Sequence, residues 1–281
     1  MFENDSKSEE VECWNLPKDF DLFAKHEVGK VYYPTKEDSS KSTHAFQIEC
    51  IEPDSPLDII NRSESSSQYD ATGHCVWAGA FLLIQCIHEL EQNSIAKKRI
   101  IEFGCGTGIG GLAMMLHHVA DDNSMPSMMC FTDNDPDALN VCKRNCELNN
   151  LSQALYSIKE LTWGEETNPI VNDSLFDIAL ATDVLYDVDL IDPLFTSVSK
   201  YVSLNGIFIL SHIPRACYNE NNPIEAVENL EKYIIDQATN YGLQLDAIIR
   251  PPGEHELQEE LLEWIPRTAF SGGAVLIFRR S

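Results

Sequence analysis

The sequence predicts an α/β fold in which a mostly parallel sheet of seven strands carries helices on both faces. From residue 99 onward, short apolar runs alternate with stretches of helical period, as in βαβ units. The first run, 100–103, leads directly into a glycine-rich turn, and the second, 128–131, is soon followed by an acidic residue. A glycine turn after one parallel strand and a carboxylate after the next are typical of folds that bind a nucleotide-like cofactor.

Each element of this prediction follows from a local pattern. Short apolar runs closed by turn residues are typical of strands, whereas apolar positions three and four apart are typical of helices. Asp135-Pro136 is a helix start, because aspartate caps free N–H groups and proline suits the first helical position. The predicted strands are 99–104, 128–133, 154–158, 176–181, 206–211, 243–249 and 274–278. The predicted helices are 76–91, 109–120, 135–149, 190–202, 223–241 and 257–264.

The N-terminal part of the chain is predicted to be an extension of the main domain. Residues 1–28 mix charges with few apolar anchors, which predicts a flexible segment. Residues 29–75 hold two strand patterns, 29–33 and 45–51, around a polar loop, which predicts a β-hairpin packed against the main domain. Residues 76–281 are predicted to form that domain as one large α/β unit.

Composition limits the partners and the compartment. The chain has 281 residues, a formal net charge of -25 and a pI near 4.5, which argues against nucleic-acid binding and favours a protein partner with a basic or lysine-bearing segment. The nine cysteines form no C-x-x-C pair and the histidines show no metal-ligand spacing, so we expect reduced thiols and no metal. Without a targeting signal or a membrane-spanning run, we expect a protein of the cytoplasm, and also of the nucleus, with no membrane partner. We also expect a monomer.

The glycine-rich segment after the first strand has two interpretations. Gly104, Cys105 and Gly106 form a turn in which the main chain approaches a ligand closely. Glu102 places a carboxylate beside it, which suits the ammonium and sulfonium groups of S-adenosylmethionine (SAM) better than a phosphate. Residues 106–111 also satisfy the dinucleotide pattern G-x-G-x-x-G, but that frame would put Glu102 and Gly104 inside an apolar strand. The SAM frame fits better, and a nicotinamide-dependent oxidoreductase is the alternative.

The ends of the next three strands provide further candidate ligand contacts. Asp133 follows the second strand, where a carboxylate accepts hydrogen bonds from both hydroxyls of a ribose. Trp163 follows the third strand and either covers an adenine face or caps the core. Asp183 and Tyr186 follow the fourth strand, where they would face the transferable methyl group, although such residues also form turns. Their order along the alternating elements favours a ligand-binding role for each.

Five motifs in this order resemble methyltransferase family 16, the seven-β-strand group of protein lysine methyltransferases. They are Val76-Trp77, the segment 102–108, Thr132-Asp133, the segment 161–164 and Asp183-x-x-Tyr186, and the resemblance extends from residue 76 to the C-terminus. It implies the Rossmann-like, seven-stranded fold of class I SAM-dependent methyltransferases. Two positions depart from the family, since Thr182 stands where relatives often have alanine and Ala78 where many have proline.

The resemblance also implies roles for individual residues. The residues expected to contact SAM on this basis are Trp77, Gly104, Cys105, Gly106, Asp133, Trp163 and Thr182. Asp183 and Tyr186 would bound the channel for the methyl acceptor, a lysine side chain of a protein substrate. We expect Asp183 to dock the lysine ammonium, with the proton leaving to water. Histidine, arginine and small-molecule amine acceptors stay open, as does a catalytically silent SAM-binding module.

Overall fold

The computed structural model describes residues 26–33, 45–51, 72–90, 95–117, 125–165, 170, 175–186, 188–213, 223–251 and 272–281. The predictions for residues 1–25 and for a helix at 257–264 lie outside these ranges. The strands are β1 (His26–Tyr32), β2 (Ala45–Ile51), β3 (Arg99–Phe103), β4 (Met128–Asp133), β5 (Tyr156–Glu160), β6 (Phe176–Thr182), β7 (Val202–His212), β8 (Leu243–Ile249) and β9 (Ala274–Arg280). The helices are α1 (Ala78–Gln85), α2 (Ile87–Leu90), α3 (Ile109–Leu116), α4 (Pro136–Leu148), α5 (Ile191–Tyr201) and α6 (Pro223–Asn240). Short 3-10 turns occupy Thr72–His74 and Val188–Leu190.

The main sheet has seven strands in the order β5-β4-β3-β6-β7-β9-β8. The strands from β5 to β7 pair in parallel, and β9 runs antiparallel to both of its neighbours. The predicted α/β class with a mostly parallel seven-stranded sheet is therefore confirmed. Of the helices described above, none is long and apolar enough to cross a membrane.

Alternate residues of each strand pack into two cores, one on each face of the sheet. Ile100 and Ile178 belong to the core that contains α1, α3 and α4, whereas Ile101 and Ala179 belong to the core that contains α5 and α6. Helices therefore cover both faces, as predicted. Because the central strands β3, β4 and β6 are buried on both sides, they are almost continuously apolar, which is why their positions could be predicted.

Several element boundaries differ from the prediction. β1 begins at His26, so residues 26–28, predicted to be part of a flexible segment, belong to a strand. The helix predicted at 76–91 is two helices, because Trp77 has the extended backbone of an N-cap and Cys86 separates α1 from α2. β5 begins at Tyr156, later than predicted, because a turn closed by a hydrogen bond from Leu155 N–H to the Ser152 carbonyl precedes it. β7 begins at Val202, earlier than predicted.

β1 and β2 pair antiparallel, and the outer edge of β2 docks on α4. The Asn149 side chain exchanges hydrogen bonds of 2.8 and 2.6 Å with the backbone of Gln47, and the Asn145 side chain exchanges bonds of 2.6 and 2.9 Å with that of Glu49. These amides satisfy backbone groups at an otherwise open strand edge. Asn145 also donates to the Thr107 carbonyl, which links the strand pair to the glycine-rich loop. The predicted domain boundaries stay a prediction.

Candidate cofactor and acceptor site

A cavity of about 680 Å³ opens at the carboxyl edge of the sheet, where β3 and β6 end side by side. The strand order reverses between these two strands, and open α/β sheets bind ligands at such a switch point. The volume is typical of small-molecule sites. The predicted site residues that line the cavity are Trp77, Gly104, Cys105, Gly106, Asp133, Trp163, Thr182, Asp183 and Tyr186. Glu102 does not line it.

The glycine-rich loop after β3 forms part of the cavity wall. Gly104 and Gly106 have φ angles of 65° and 49°, a left-handed backbone that glycine adopts readily. A Cβ added at Gly106 would lie 2.9 Å from the Gly73 carbonyl oxygen, and one at Gly104 would lie 3.0 Å from the Trp163 ring. Burial raises the pKa of the Cys105 thiol to about 12, so it stays uncharged. The loop therefore presents backbone rather than charged side chains to a ligand.

Asp133 ends β4 and connects that strand to the glycine-rich loop. Its Oδ2 accepts a hydrogen bond of 2.9 Å from Gly106 N–H, and its Oδ1 accepts one of 3.1 Å from Asp135 N–H. Burial raises the pKa of the carboxyl, while the bonds from Gly106 and Asp135 oppose that shift. The side chain is thus a fixed acceptor in the cavity wall, and its contact with a ribose stays a prediction.

The structure places Glu102 behind the loop rather than in the cavity. The residue is fully buried, and its Oε2 accepts a hydrogen bond of 3.0 Å from Gly111 N–H in the first turn of α3. A Cβ at Gly110 or Gly111 would lie 2.5 or 2.6 Å from its oxygens. Because side chains alternate along β3, residue 102 points to the face that α3 covers. This placement does not favour the expected direct contact between Glu102 and the cofactor. Glu102 instead holds the start of α3.

Replacing Glu102 with glutamine is expected to remove a pH dependence of stability. Burial, with a smaller contribution from Asp133, raises the pKa of the carboxyl from 4.5 to about 8 against the opposing bond from Gly111. Between these pH values the folded protein holds a proton that the unfolded chain lacks. The free energy of unfolding of the wild type should therefore fall as the pH rises, by on the order of a few kcal/mol, and level off above the folded pKa.

Urea unfolding of the wild type and of Glu102→Gln, followed from about pH 5 to about pH 9, measures this effect. The other titrating groups are common to both proteins, so the difference in unfolding free energy isolates residue 102. We expect that difference to shift in favour of Glu102→Gln as the pH rises. A pH-independent difference would mean that Glu102 titrates normally in the folded protein.

Asp183 is held at the end of β6 by two neighbouring elements. It has a φ angle of 59° and is 7% exposed. Its Oδ2 accepts a hydrogen bond of 3.0 Å from Gly79 N–H at the start of α1, and its own N–H donates to the Ser211 carbonyl of β7 at 2.8 Å. The Ser211 hydroxyl in turn donates to the Gly79 carbonyl at 2.6 Å. This network fixes the carboxylate in the cavity wall, and sequence reasoning missed both Gly79 and Ser211.

Gly79→Ala is expected to displace the Asp183 carboxylate. The new Cβ would lie 2.6 Å from Asp183 Cβ and 2.9 Å from its Cγ, so the two residues cannot keep their positions. We expect a loss of about 1 to 3 kcal/mol in unfolding free energy, as for other overpacked sites, together with a fall in turnover. Urea unfolding and initial rates of methyl transfer measure the two effects. Ser211→Ala, which removes a hydroxyl without adding bulk, should have the smaller effect. Full turnover in Gly79→Ala would refute the claim that Gly79 positions the Asp183 carboxylate.

Three aromatic residues and Thr182 also line the cavity. Trp77 directs its Nε1–H to the Thr72 carbonyl at 2.9 Å, which fixes its ring before α1. Trp163 is half-buried, packing on the core beside α5 with one side and lining the cavity with another. The core-packing interpretation of Trp163 thus describes part of its surroundings, and its contact with an adenine stays a prediction. Thr182 packs beside Gly110, and Tyr186 is 56% exposed at the mouth of the cavity.

The turn Thr72–His74 forms another part of the cavity wall. The sequence had predicted these residues to be part of the N-terminal extension. Thr72 and Gly73 line the cavity, and buried His74 lies 3.5 Å from the Asp135 carboxylate that caps α4. No motif in the sequence indicated this contact. The charged residues among the described lining are Asp133, Asp135 and Asp183, and that part of the lining contains no Lys, Arg or His. The cavity therefore favours a positively charged ligand.

The fold and the cavity together define a class of protein. A seven-stranded sheet with a reversed last strand, a glycine-rich loop after β3 and an acid after β4 is the class I SAM-dependent methyltransferase fold. The lining suits this cofactor, because its carboxylates match cationic groups and ribose hydroxyls, and its aromatic rings match an adenine. The crystal structure of magnesium protoporphyrin IX methyltransferase from Synechocystis PCC 6803 with bound SAH shares the fold, with a TM-score of 0.50 and 11% identity over 80% of this chain and 94% of that one.

A family model described as lysine methyltransferase matches residues 54–229, and the chain belongs to that family. The predicted family and the cofactor SAM are thereby confirmed. The electron transfer flavoprotein beta subunit lysine methyltransferase of Danio rerio is 28% identical over 62% of this chain and 63% of its own length. The histone-arginine methyltransferase METTL23 of Xenopus laevis is 29% identical over 41% of this chain and 45% of its own length. The chain thus matches less than two thirds of the length of either relative.

Proposed function

We propose that this protein methylates a lysine side chain of a protein substrate, with SAM as the methyl donor. The observation that carries the proposal is Asp183, a buried carboxylate in the cavity wall that Gly79 and Ser211 hold at the end of β6. A carboxylate there suits the ammonium group of an entering lysine, because charge-assisted hydrogen bonds are strong and directional. Membership of the lysine methyltransferase family supports the same acceptor.

The protein's main task in this reaction is alignment. Methyl transfer from a sulfonium is an in-line displacement, so the acceptor nitrogen must lie in line with the methyl carbon and the leaving sulfur. When bound, SAM supplies the activated methyl group. A lysine of pKa about 10.4 needs about 4 to 5 kcal/mol to lose its proton near pH 7. Asp183 raises the pKa of a lysine beside it, so it orients the ammonium, and the proton leaves to water.

The other lining residues are assigned to the cofactor and to the channel. Asp133 accepts the ribose hydroxyls, and Trp163 covers the adenine. Gly104 and Gly106 bring the loop backbone close to the cofactor, and Trp77 borders it from the start of α1. Tyr186 at the mouth shapes the channel for the lysine. Their shared position around one cavity supports these roles.

The partner we propose is a basic or lysine-bearing segment of another protein. The carboxylates of Asp133, Asp135 and Asp183 in the cavity support a cationic acceptor. We also propose that the protein is a monomer of the cytoplasm and nucleus. Every cysteine in the described ranges is free and buried, which supports a reducing compartment.

Arginine is the second candidate acceptor, because one relative is named a histone-arginine methyltransferase. The same acidic cavity suits a guanidinium group as well as an ammonium. The two acceptors differ in their labelled product, so one experiment separates them.

The test is transfer of labelled methyl from SAM into the proteins of a lysate from cells that lack this protein. The labelled proteins are hydrolysed and their amino acids separated, and a reaction without the added protein is the control. We expect label in methyl-lysine. Label in methyl-arginine or methyl-histidine would overturn the lysine assignment and keep methyl transfer. No label, with SAM binding intact, would contradict a protein methyltransferase and favour a silent SAM-binding module or a small-molecule acceptor.

A further inference from the structure

The segment after β6 places exposed apolar side chains at the mouth of the cavity. Tyr186 lines the cavity and is 56% exposed, and Val188 begins the next 3-10 turn and is 48% exposed. Leu190, at the end of that turn, also lines the cavity. Because Tyr186 and Leu190, two residues before and two residues after Val188, both line the cavity, Val188 lies close to its mouth. We call the surface of Tyr186 and Val188 the mouth patch.

The charges around the mouth patch indicate what it binds. Asp183 lies at the start of the same segment, and Asp189 is exposed next to Val188. The charged groups in the described cavity lining are all carboxylates. This surface therefore favours a basic substrate segment, because electrostatic attraction to the carboxylates steers such a segment toward the mouth.

We propose that the mouth patch binds an apolar side chain within two residues of the acceptor lysine, in a basic segment of the substrate protein. This inference rests on the proposed function. In an extended segment, residues two apart point to the same side, roughly 7 Å from each other. A lysine that enters toward Asp183 thus leaves a neighbouring side chain at the rim, where it packs on Tyr186 and Val188. Specificity comes from one charged contact inside and one apolar contact at the rim.

Val188→Ser tests the apolar contact without adding charge. Leu204→Ser is the matched control, because Leu204 is 65% exposed and lies at the start of β7, at the edge of the sheet opposite the cavity. We expect Val188→Ser to lower the rate of labelling of lysate acceptors by about tenfold, from the loss of buried apolar area. Leu204→Ser should keep the wild-type rate. SAM affinity and urea unfolding should be unchanged in both variants.

The outcomes separate this inference from the proposed function. If the wild type labels methyl-lysine and Val188→Ser does so at the same rate, the mouth patch has no role and the proposed function stands. An equal loss in Leu204→Ser would also overturn the inference, because it would indicate a general surface effect. If the wild type binds SAM and labels no lysine, the proposed function itself fails.

Discussion

Asp183→Asn is expected to lower the rate of methyl transfer by about 10- to 100-fold, the effect of losing a hydrogen bond to a charged group. Asparagine keeps an oxygen that accepts the bond from Gly79 N–H, so the start of α1 and the cavity wall stay in place. Only the negative charge is lost, and with it the proposed orientation of the lysine ammonium. Initial rates with labelled SAM measure the fall, and calorimetric titration with SAM should give an affinity within about threefold of the wild type.

Asp177→Asn is the matched control for this variant. Asp177 lies on the same strand and also accepts a backbone hydrogen bond, of 2.9 Å from Arg99 N–H, but it lies at the opposite edge of the sheet. We expect wild-type turnover in Asp177→Asn. Full turnover in Asp183→Asn would show that the charge of Asp183 has no role in the reaction. An equal loss of turnover in both variants would indicate a general effect on β6.

Asp133→Ala should weaken SAM binding by about 10- to 100-fold, because the ribose hydroxyls lose a charged acceptor. The variant also removes the partner of Gly106 N–H, which lies 2.9 Å from the carboxylate, so the glycine-rich loop loses a contact that fixes it. Calorimetric titration with SAM measures the affinity. At saturating SAM the rate should recover substantially, which distinguishes a cofactor residue from an acceptor residue.

Asp137→Ala is the control for Asp133→Ala. Asp137 is an exposed carboxylate in the first turn of α4, close in sequence to Asp133 and outside the cavity lining. Its removal lowers the net negative charge by the same amount, and we expect unchanged SAM affinity. An unchanged affinity in Asp133→Ala would show that the ribose lies elsewhere.

The fold could be predicted because its central strands β3, β4 and β6 are buried on both faces and so stand out as apolar runs. The run before Gly104 and the capped helix start at Asp135 are local signals, and the structure has both where they were expected. Boundaries were less predictable. β7 begins at Val202 because that residue pairs with Phe176 of β6, a long-range contact that no local pattern encodes.

Most of the candidate site could be predicted because the carboxyl ends of parallel strands meet at one edge of a sheet. Asp133 and Asp183, far apart in the chain, line one cavity for that reason. Glu102 was expected there too, but its place on β3 points it beneath α3. Gly79 was missed because its role depends on a contact with Asp183, 104 residues away in the chain.

A crystal structure of the protein with SAH is the measurement that tests this site most directly. We expect the ribose hydroxyls within hydrogen-bonding distance of the Asp133 carboxylate and the adenine against Trp163. The sulfur should face the side of the cavity that holds Asp183, with an open path from it to Tyr186. SAH bound away from Asp133, or with its sulfur directed away from Asp183, would contradict the proposed site.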